Sequence, residues 1–203
     1  MPALPGLNVS RETIERLLLY QRLVEKWNPR INLVSRETLG DIWQRHFVDS
    51  AQLFQNVKNR TFHWVDLGSG AGFPGLVIAI LAHETGVPAR VTLVESDARK
   101  AVFLKTVLRE TGVKARVIRD RIENIDPLGA DVLSARALAE LTILLGYAAQ
   151  HLSTDGLALF PKGKNWRKEV EDAQSKWCFE CEIDRSSTNP NSVILRVKGV
   201  ILV

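Results

Sequence analysis

Apolar residues recur at helical spacing near the start of the chain, at Ile14, Leu17, Leu18, Val24 and Trp27. This spacing predicts an amphipathic helix that Ser10 caps and Asn28-Pro29 ends. A second helical stretch is expected over residues 39–56, where Ile42, Trp43, Phe47 and Leu53 are among the apolar positions. The two together predict a helical cap over residues 1–60.

From residue 62 the period changes. Short runs rich in β-branched residues read as strands: FHWVDL (62–67), VTLVES (91–96), ARVIRD (115–120), DVLSAR (131–136) and LALFPK (157–162). Helix-length segments lie between most of them, including GLVIAILA (75–82), ARKAVFLKTVLRE (98–110) and LAELTILLGYAAQHL (138–152). Strands alternating with helices imply a parallel sheet with helices on both faces. The rhythm stops after a charged helix near residues 165–176. CFECEID (178–184) and SVILRVK (192–198) are joined only by RSSTNPN, too short for a crossover helix, which predicts an antiparallel hairpin at the sheet edge. The expected fold is α/β, with five parallel strands plus a C-terminal hairpin forming one compact unit over residues 61–203.

Composition narrows the picture in three ways. With 203 residues the chain is long enough for one good core and short for two ordinary domains. Its 27 Lys and Arg against 23 Asp and Glu leave a net charge of +4, which permits an acidic partner without requiring one. No window approaches the roughly 18 apolar residues that span a bilayer, and MPALPGLNVS lacks a cationic region followed by an apolar one; a cytoplasmic protein is expected. Cys178 and Cys181 form C-x-x-C without a second ligand pair, and their positions in a strand point to opposite faces; buried structural thiols are expected. His46, His63, His83 and His151 show no metal spacing, so no metal is expected.

The chemistry centres on DLGSGAGFPG (66–75). Gly70, Gly72 and Gly75 spell the dinucleotide fingerprint G-x-G-x-x-G. Asp66, Gly68, Gly70 and Gly72 spell D-x-G-x-G-x-G, which suits S-adenosylmethionine. In that register Asp66 ends the first strand and faces the cofactor's cationic end, directly or through water, while Ser69 and Gly70 let the backbone pack along its amino-acid part and ribose. Gly75 then serves helix packing behind Pro74. Glu95, ending the second strand, sits where a ribose-binding acid is expected with either cofactor. Asp66 and the helix-free hairpin favour the methyl donor; the rivals to an RNA methyltransferase are a SAM-dependent methyltransferase acting on another substrate, a nicotinamide-dependent oxidoreductase and a non-enzymatic RNA-binding module.

Cations cluster where the parallel strands end. Arg99 and Lys100 open the helix after Glu95, Arg119 and Arg121 flank the third strand end, and Lys162, Lys164, Arg167 and Lys168 follow the fifth. All lie on the rim of the glycine loop, which predicts a surface for RNA phosphates.

WNPRINLVS (27–35), RHFVDS (45–50), DLGSGAGFPGL (66–76), LVESDARKAVFL (93–104), RIE (121–123) and SARAL (134–138) together carry a specific resemblance. From about residue 14 onward the sequence resembles the RsmG (GidB) family of small-subunit rRNA guanine-N7 methyltransferases. The resemblance implies a class I SAM-dependent methyltransferase (Rossmann-like) fold, S-adenosylmethionine as cofactor, and 16S rRNA as partner, free or within the assembled small subunit. It also implies cofactor contacts for Gly68, Phe73, Ile122, Glu123 and Arg136. Neutral guanine N7 already carries a lone pair, so no general base is expected and Arg136 is the positioning candidate. His46 and Asp49 either line the site or cap a helix; the sequence leaves both open.

Overall fold

The computed structural model describes residues 2–55 and 61–203. Seven strands form one sheet in the order β3-β2-β1-β4-β5-β7-β6. These are β1 (His63–Leu67), β2 (Arg90–Val94), β3 (Arg116–Ile118), β4 (Ala130–Ala135), β5 (Leu152–Lys162), β6 (Trp177–Arg185) and β7 (Val193–Leu202). The first five run parallel, and β7 and β6 add as an antiparallel pair beside β5. β1 lies between β2 and β4, so the strand order reverses there and the loops leaving β1 and β4 diverge around a crevice.

Side chains alternate across the sheet and feed two cores. Trp64 and Leu93 join α4 (Gly75–Thr85) and α5 (Ala98–Thr111) on one face. Val65, Leu133 and Phe160 join α6 (Leu141–His151) and α7 (Trp166–Gln174) on the other. The first core continues into α1 (Arg11–Ile31) through Leu17, Tyr20 and Val24. The expected division between residues 60 and 61 adjoins residues 56–60, outside those described.

Several boundaries differ from expectation for physical reasons. Ser10 caps α1 by accepting from the Thr13 amide at 3.2 Å, but Asn28-Pro29 does not end the helix, which runs on to Ile31. Proline near a helix end removes one backbone donor while its fixed φ remains helical. The termination belongs to Asn28, whose Oδ1 accepts from the amides of Leu33 and Val34 at 2.7 and 2.8 Å, while Asn32 turns left-handed at φ 50°. The single helix expected over 39–56 is instead α2 (Arg36–Leu39), a π-helical turn (Trp43–Val48) and α3 (Asp49–Phe54), with residue 56 outside the description. The π-helical turn carries much of RHFVDS, and such turns often mark functional sites. The cysteines are not buried: Cys178 is exposed and Cys181 half-buried, on β6, the strand at the edge of the sheet.

Candidate cofactor and substrate clefts

Two neighbouring cavities open at the carboxyl ends of the parallel strands. The larger, about 540 Å³, is built around the loop between β1 and α4. Gly68 adopts φ +62°, and a Cβ there would come within 2.5 Å of Leu138 Cδ1, so only glycine fits without displacing the wall. Two hydrogen bonds fix the loop against β2: the Ser69 amide donates to Val94 O at 3.0 Å and the Gly70 amide to Glu95 Oε2 at 2.8 Å. The Asp97 amide holds the other Glu95 oxygen at 2.7 Å. Glu95 is 8% exposed and faces the cavity, so its orientation is set before any ligand arrives.

Ile122 and Glu123 form the wall beyond β3. The Tyr147 hydroxyl donates a short hydrogen bond to Glu123, which lowers the carboxyl's pKa and raises the phenol's to about 12. The opposite wall is an aromatic and cationic stack. Phe73 lies against Tyr20 at 5.1 Å and His46 at 5.0 Å between ring centroids, with the Arg136 guanidinium 5.3 Å from the Phe73 centroid. Buried Tyr20 donates to Ala71 O at 2.6 Å and ties α1 to the loop.

Arg136 is clamped by the RHFVDS segment. It donates to His46 Nδ1 at 2.9 Å, to Arg45 O at 3.3 Å and to Asp49 Oδ2 at 3.4 Å. Burial, then the charges of Arg136 and Arg45, lower the His46 pKa to about 3. The ring is therefore neutral at physiological pH, with Nδ1 accepting and Nε2 paired to Thr38 Oγ1 at 3.0 Å. Of the two alternatives for this motif, lining holds and side-chain capping does not: His46 lines the cavity and holds Arg136, while Asp49 links Arg136 to the hairpin loop through Thr188 Oγ1 at 2.7 Å.

Eight of the nine residues expected at the cofactor line this cavity: Gly68, Ser69, Gly70, Phe73, Glu95, Ile122, Glu123 and Arg136. Asp66 does not, and its expected position is corrected. It is fully buried beneath the loop, where Oδ1 accepts from Ser134 Oγ at 2.7 Å; Ser134 Oγ in turn accepts from Trp64 Nε1 at 2.9 Å. A Cβ at position 75 would lie 2.7 Å from Asp66 Oδ2, so Gly75 lets α4 start directly against the carboxylate. Burial raises the Asp66 pKa to about 6, against the pull of the Ser134 hydrogen bond.

The cationic rim is also rearranged. Lys100 and Arg121 border the cavity, and Arg99, Arg119, Lys164, Arg167 and Lys168 are exposed. Lys162 is corrected: its ammonium is ion-paired with Glu169 at 2.6 Å and donates to Ala139 O at 2.9 Å, with the side chain only 9% exposed. It is a wall of the second cavity, not a free cation. Among the described residues, no group of three or more His, Cys, Asp or Glu side chains is placed to hold a metal ion. No helix of those described is long and apolar enough to cross a membrane.

A family model described as rRNA small subunit methyltransferase G (GidB) matches residues 13–192. The chain belongs to the GidB family. A GidB relative, the ribosomal RNA small subunit methyltransferase G of Ruegeria pomeroyi, is 53% identical over 200 residues, covering 98% of each chain. The protein of that name from Rhodospirillum centenum is 51% identical over 195 residues, covering 96% of this chain and 88% of its own. A TehB-like SAM-dependent methyltransferase from Corynebacterium glutamicum shares the fold at a TM-score of 0.58 and 16% identity, covering 90% of this chain and 98% of that one. The GidB match takes in every residue named here in the walls of the two cavities up to Ser192. It also takes in Tyr20, Tyr147 and Thr188, which the linear pattern does not single out. Tyr20 reads there as one more apolar helix position, and the partners of the other two are 24 and 139 residues away.

Proposed function

We propose that the chain transfers a methyl group from S-adenosylmethionine to N7 of a guanine in 16S ribosomal RNA of the small subunit, in the cytoplasm. The observation that carries this reading is Glu95, held by two backbone amides inside a glycine-floored cavity that Arg136 also lines. The residues fit the cofactor: an oriented carboxylate meets the ribose hydroxyls, Ile122 and Glu123 flank the adenine, and Phe73 walls the site. The loop backbone at Gly68, Ser69 and Gly70 runs along the amino-acid portion. Asp66 acts through the loop, by fixing how β1 enters α4.

When bound, the cofactor supplies a sulfonium methyl; the N7 lone pair forms the new N–C bond as the C–S bond breaks, leaving a thioether and a positively charged purine. No proton leaves before attack, so the protein's task is alignment, a contribution worth roughly 7–11 kcal/mol in well-oriented systems. Arg136 is the positioning residue, donating to guanine O6. Asp49 balances its charge, and neutral His46 orients it without adding a second cation beside the sulfonium. Arg99, Lys100, Arg119, Arg121, Lys164, Arg167 and Lys168 form the phosphate rim in this reading. The cap over residues 1–60 and the sheet over 61–203 work as one unit, because the cap supplies the clamp on Arg136.

Calorimetry with S-adenosylmethionine and with NADH, followed by transfer of a labelled methyl group to undermethylated small subunits, tests the proposal. Binding of the methyl donor together with RNA labelling is expected. Binding of NADH alone would overturn it.

A further inference from the structure

The second cavity, about 380 Å³, shares Arg136 and Ala137 with the first. We infer that it is the slot for the target guanine, with Glu169 reading the edge of the base that carries N1–H and the exocyclic amine. The inference rests on the function proposed above.

Four separate pieces of chain meet to make this slot. The cap contributes Asp49, β5 ends in Lys162, α7 brings Glu169, and the hairpin adds Ser192. The hairpin loop is fastened over the cap, with the Ser187 amide donating to Gln52 Oε1 at 2.9 Å and Thr188 to Asp49. Both additions to the parallel sheet, cap and hairpin, thus converge on one enclosure. The partition between the cavities is itself strained: Ala137 adopts φ 52°, an uncommon conformation for a residue with a Cβ. Because the two cavities meet at Arg136 and Ala137, a base in the second would lie beside a cofactor in the first, with N7 turned toward the methyl group.

The lining has guanine's polarity. Glu169 Oε2 is occupied by Lys162 Nζ at 2.6 Å and the Leu141 amide at 3.0 Å, and Oε1 carries no hydrogen bond among the described residues. The Lys162 ammonium and the α6 amide hold Oε2 in place, which leaves Oε1 as the acceptor available to a ligand. Guanine donates from N1 and N2 and accepts at O6 and N7. A carboxylate on the first edge and the Arg136 guanidinium toward the second match it. Adenine presents an N1 lone pair to the same carboxylate, and the mismatch leaves buried groups unpaired.

Two variants and one altered substrate test the slot. Glu169→Gln keeps the shape and removes the charge; Ser192→Trp fills the cavity from the loop without touching the Lys162–Glu169 pair, and serves if the first variant folds poorly. Each is expected to bind S-adenosylmethionine within about twofold of wild type and to methylate small subunits on the order of 100-fold more slowly, the scale of a lost hydrogen bond to a charged group. Small subunits carrying inosine at the mapped position lack the exocyclic amine. The wild type should slow on them by at least about tenfold and Glu169→Gln no further than it does on guanosine, because the amide oxygen turns to Lys162 and the Leu141 amide and leaves a donor, not an acceptor, toward the base. Wild-type rates in both variants, or an inosine penalty that persists in Glu169→Gln, would overturn the slot while leaving the proposed function standing. A wild-type chain that binds the cofactor and methylates no small-subunit RNA overturns both.

Discussion

Arg136 donates to Nδ1 of His46 at 2.9 Å while the His46 ring lies stacked on Phe73, 5.0 Å between centroids. One imidazole therefore couples the wall of the cofactor cavity to the guanidinium that separates the two clefts. His46→Ala removes both contacts at once. Methylation should fall about 10- to 100-fold, the scale expected when a positioning group is misplaced, with little loss of thermal stability. Single-turnover kinetics beside a melting curve checks this, and an unchanged rate would mean that Arg136 is oriented by Asp49 and Arg45 alone.

Tyr20 offers a test of the link between cap and loop. Tyr20→Phe leaves the Ala71 carbonyl without its buried 2.6 Å donor, at a cost of about 1–3 kcal/mol. The loop should loosen where it borders the cavity, so cofactor affinity should drop together with the melting temperature. Calorimetry and thermal unfolding on the same preparation measure both.

Two buried groups give opposite pH dependences. His46 has its folded pKa lowered from 6.5 to about 3, so its contribution to stability is present above pH 6.5 and is lost as the pH falls toward 3. Asp66 has its folded pKa raised from 3.8 to about 6, so its contribution is present below pH 3.8 and is lost as the pH rises through 6. Between about pH 4 and 6 the two should largely cancel in the wild type. In Asp66→Asn the cancellation disappears, and stability should fall with acidification by up to roughly 1.4 kcal/mol per pH unit. Denaturant titrations at several pH values measure the difference; parallel curves for the two proteins would contradict the assignment.

How much of the fold and site was legible in the sequence depends on what a local pattern records. The parallel strands and the hairpin were readable because their period is local, whereas Gly68, Phe73, Ile122, Glu123 and Arg136 of the larger cavity's wall followed only from the family resemblance. The failures lie in side-chain partnerships, near or far in the chain, that pattern does not show. Asp66 reads as a ligand from its place before the glycines, yet its register partner Ser134, 68 residues on, takes the carboxylate under the loop. Lys162 reads as a free cation because nothing in the strand predicts that Glu169, one α7 turn in, will neutralise it. Pro29 reads as a helix end because it usually is one, and the compensating hydrogen bonds come from the neighbouring Asn28 side chain.

The different standing of Lys162 and the exposed cations beside it can be tested through salt. Neutralising Lys164, Arg167 and Lys168 together should flatten the dependence of RNA affinity on salt concentration, by up to about one slope unit for each phosphate that is no longer neutralised. Lys162→Met should leave that slope unchanged and lower stability, since it strands a partly buried Glu169. Filter binding across a salt series separates the two outcomes.

The most direct test of the central claim is to incubate the protein with labelled S-adenosylmethionine and small subunits lacking their methyl groups, then map the label by nuclease digestion and mass spectrometry. One methyl group is expected on N7 of one guanine in 16S rRNA, and its loss when Arg136→Ala replaces the wild type. Label on another atom or another RNA, or full transfer by Arg136→Ala, would contradict this assignment.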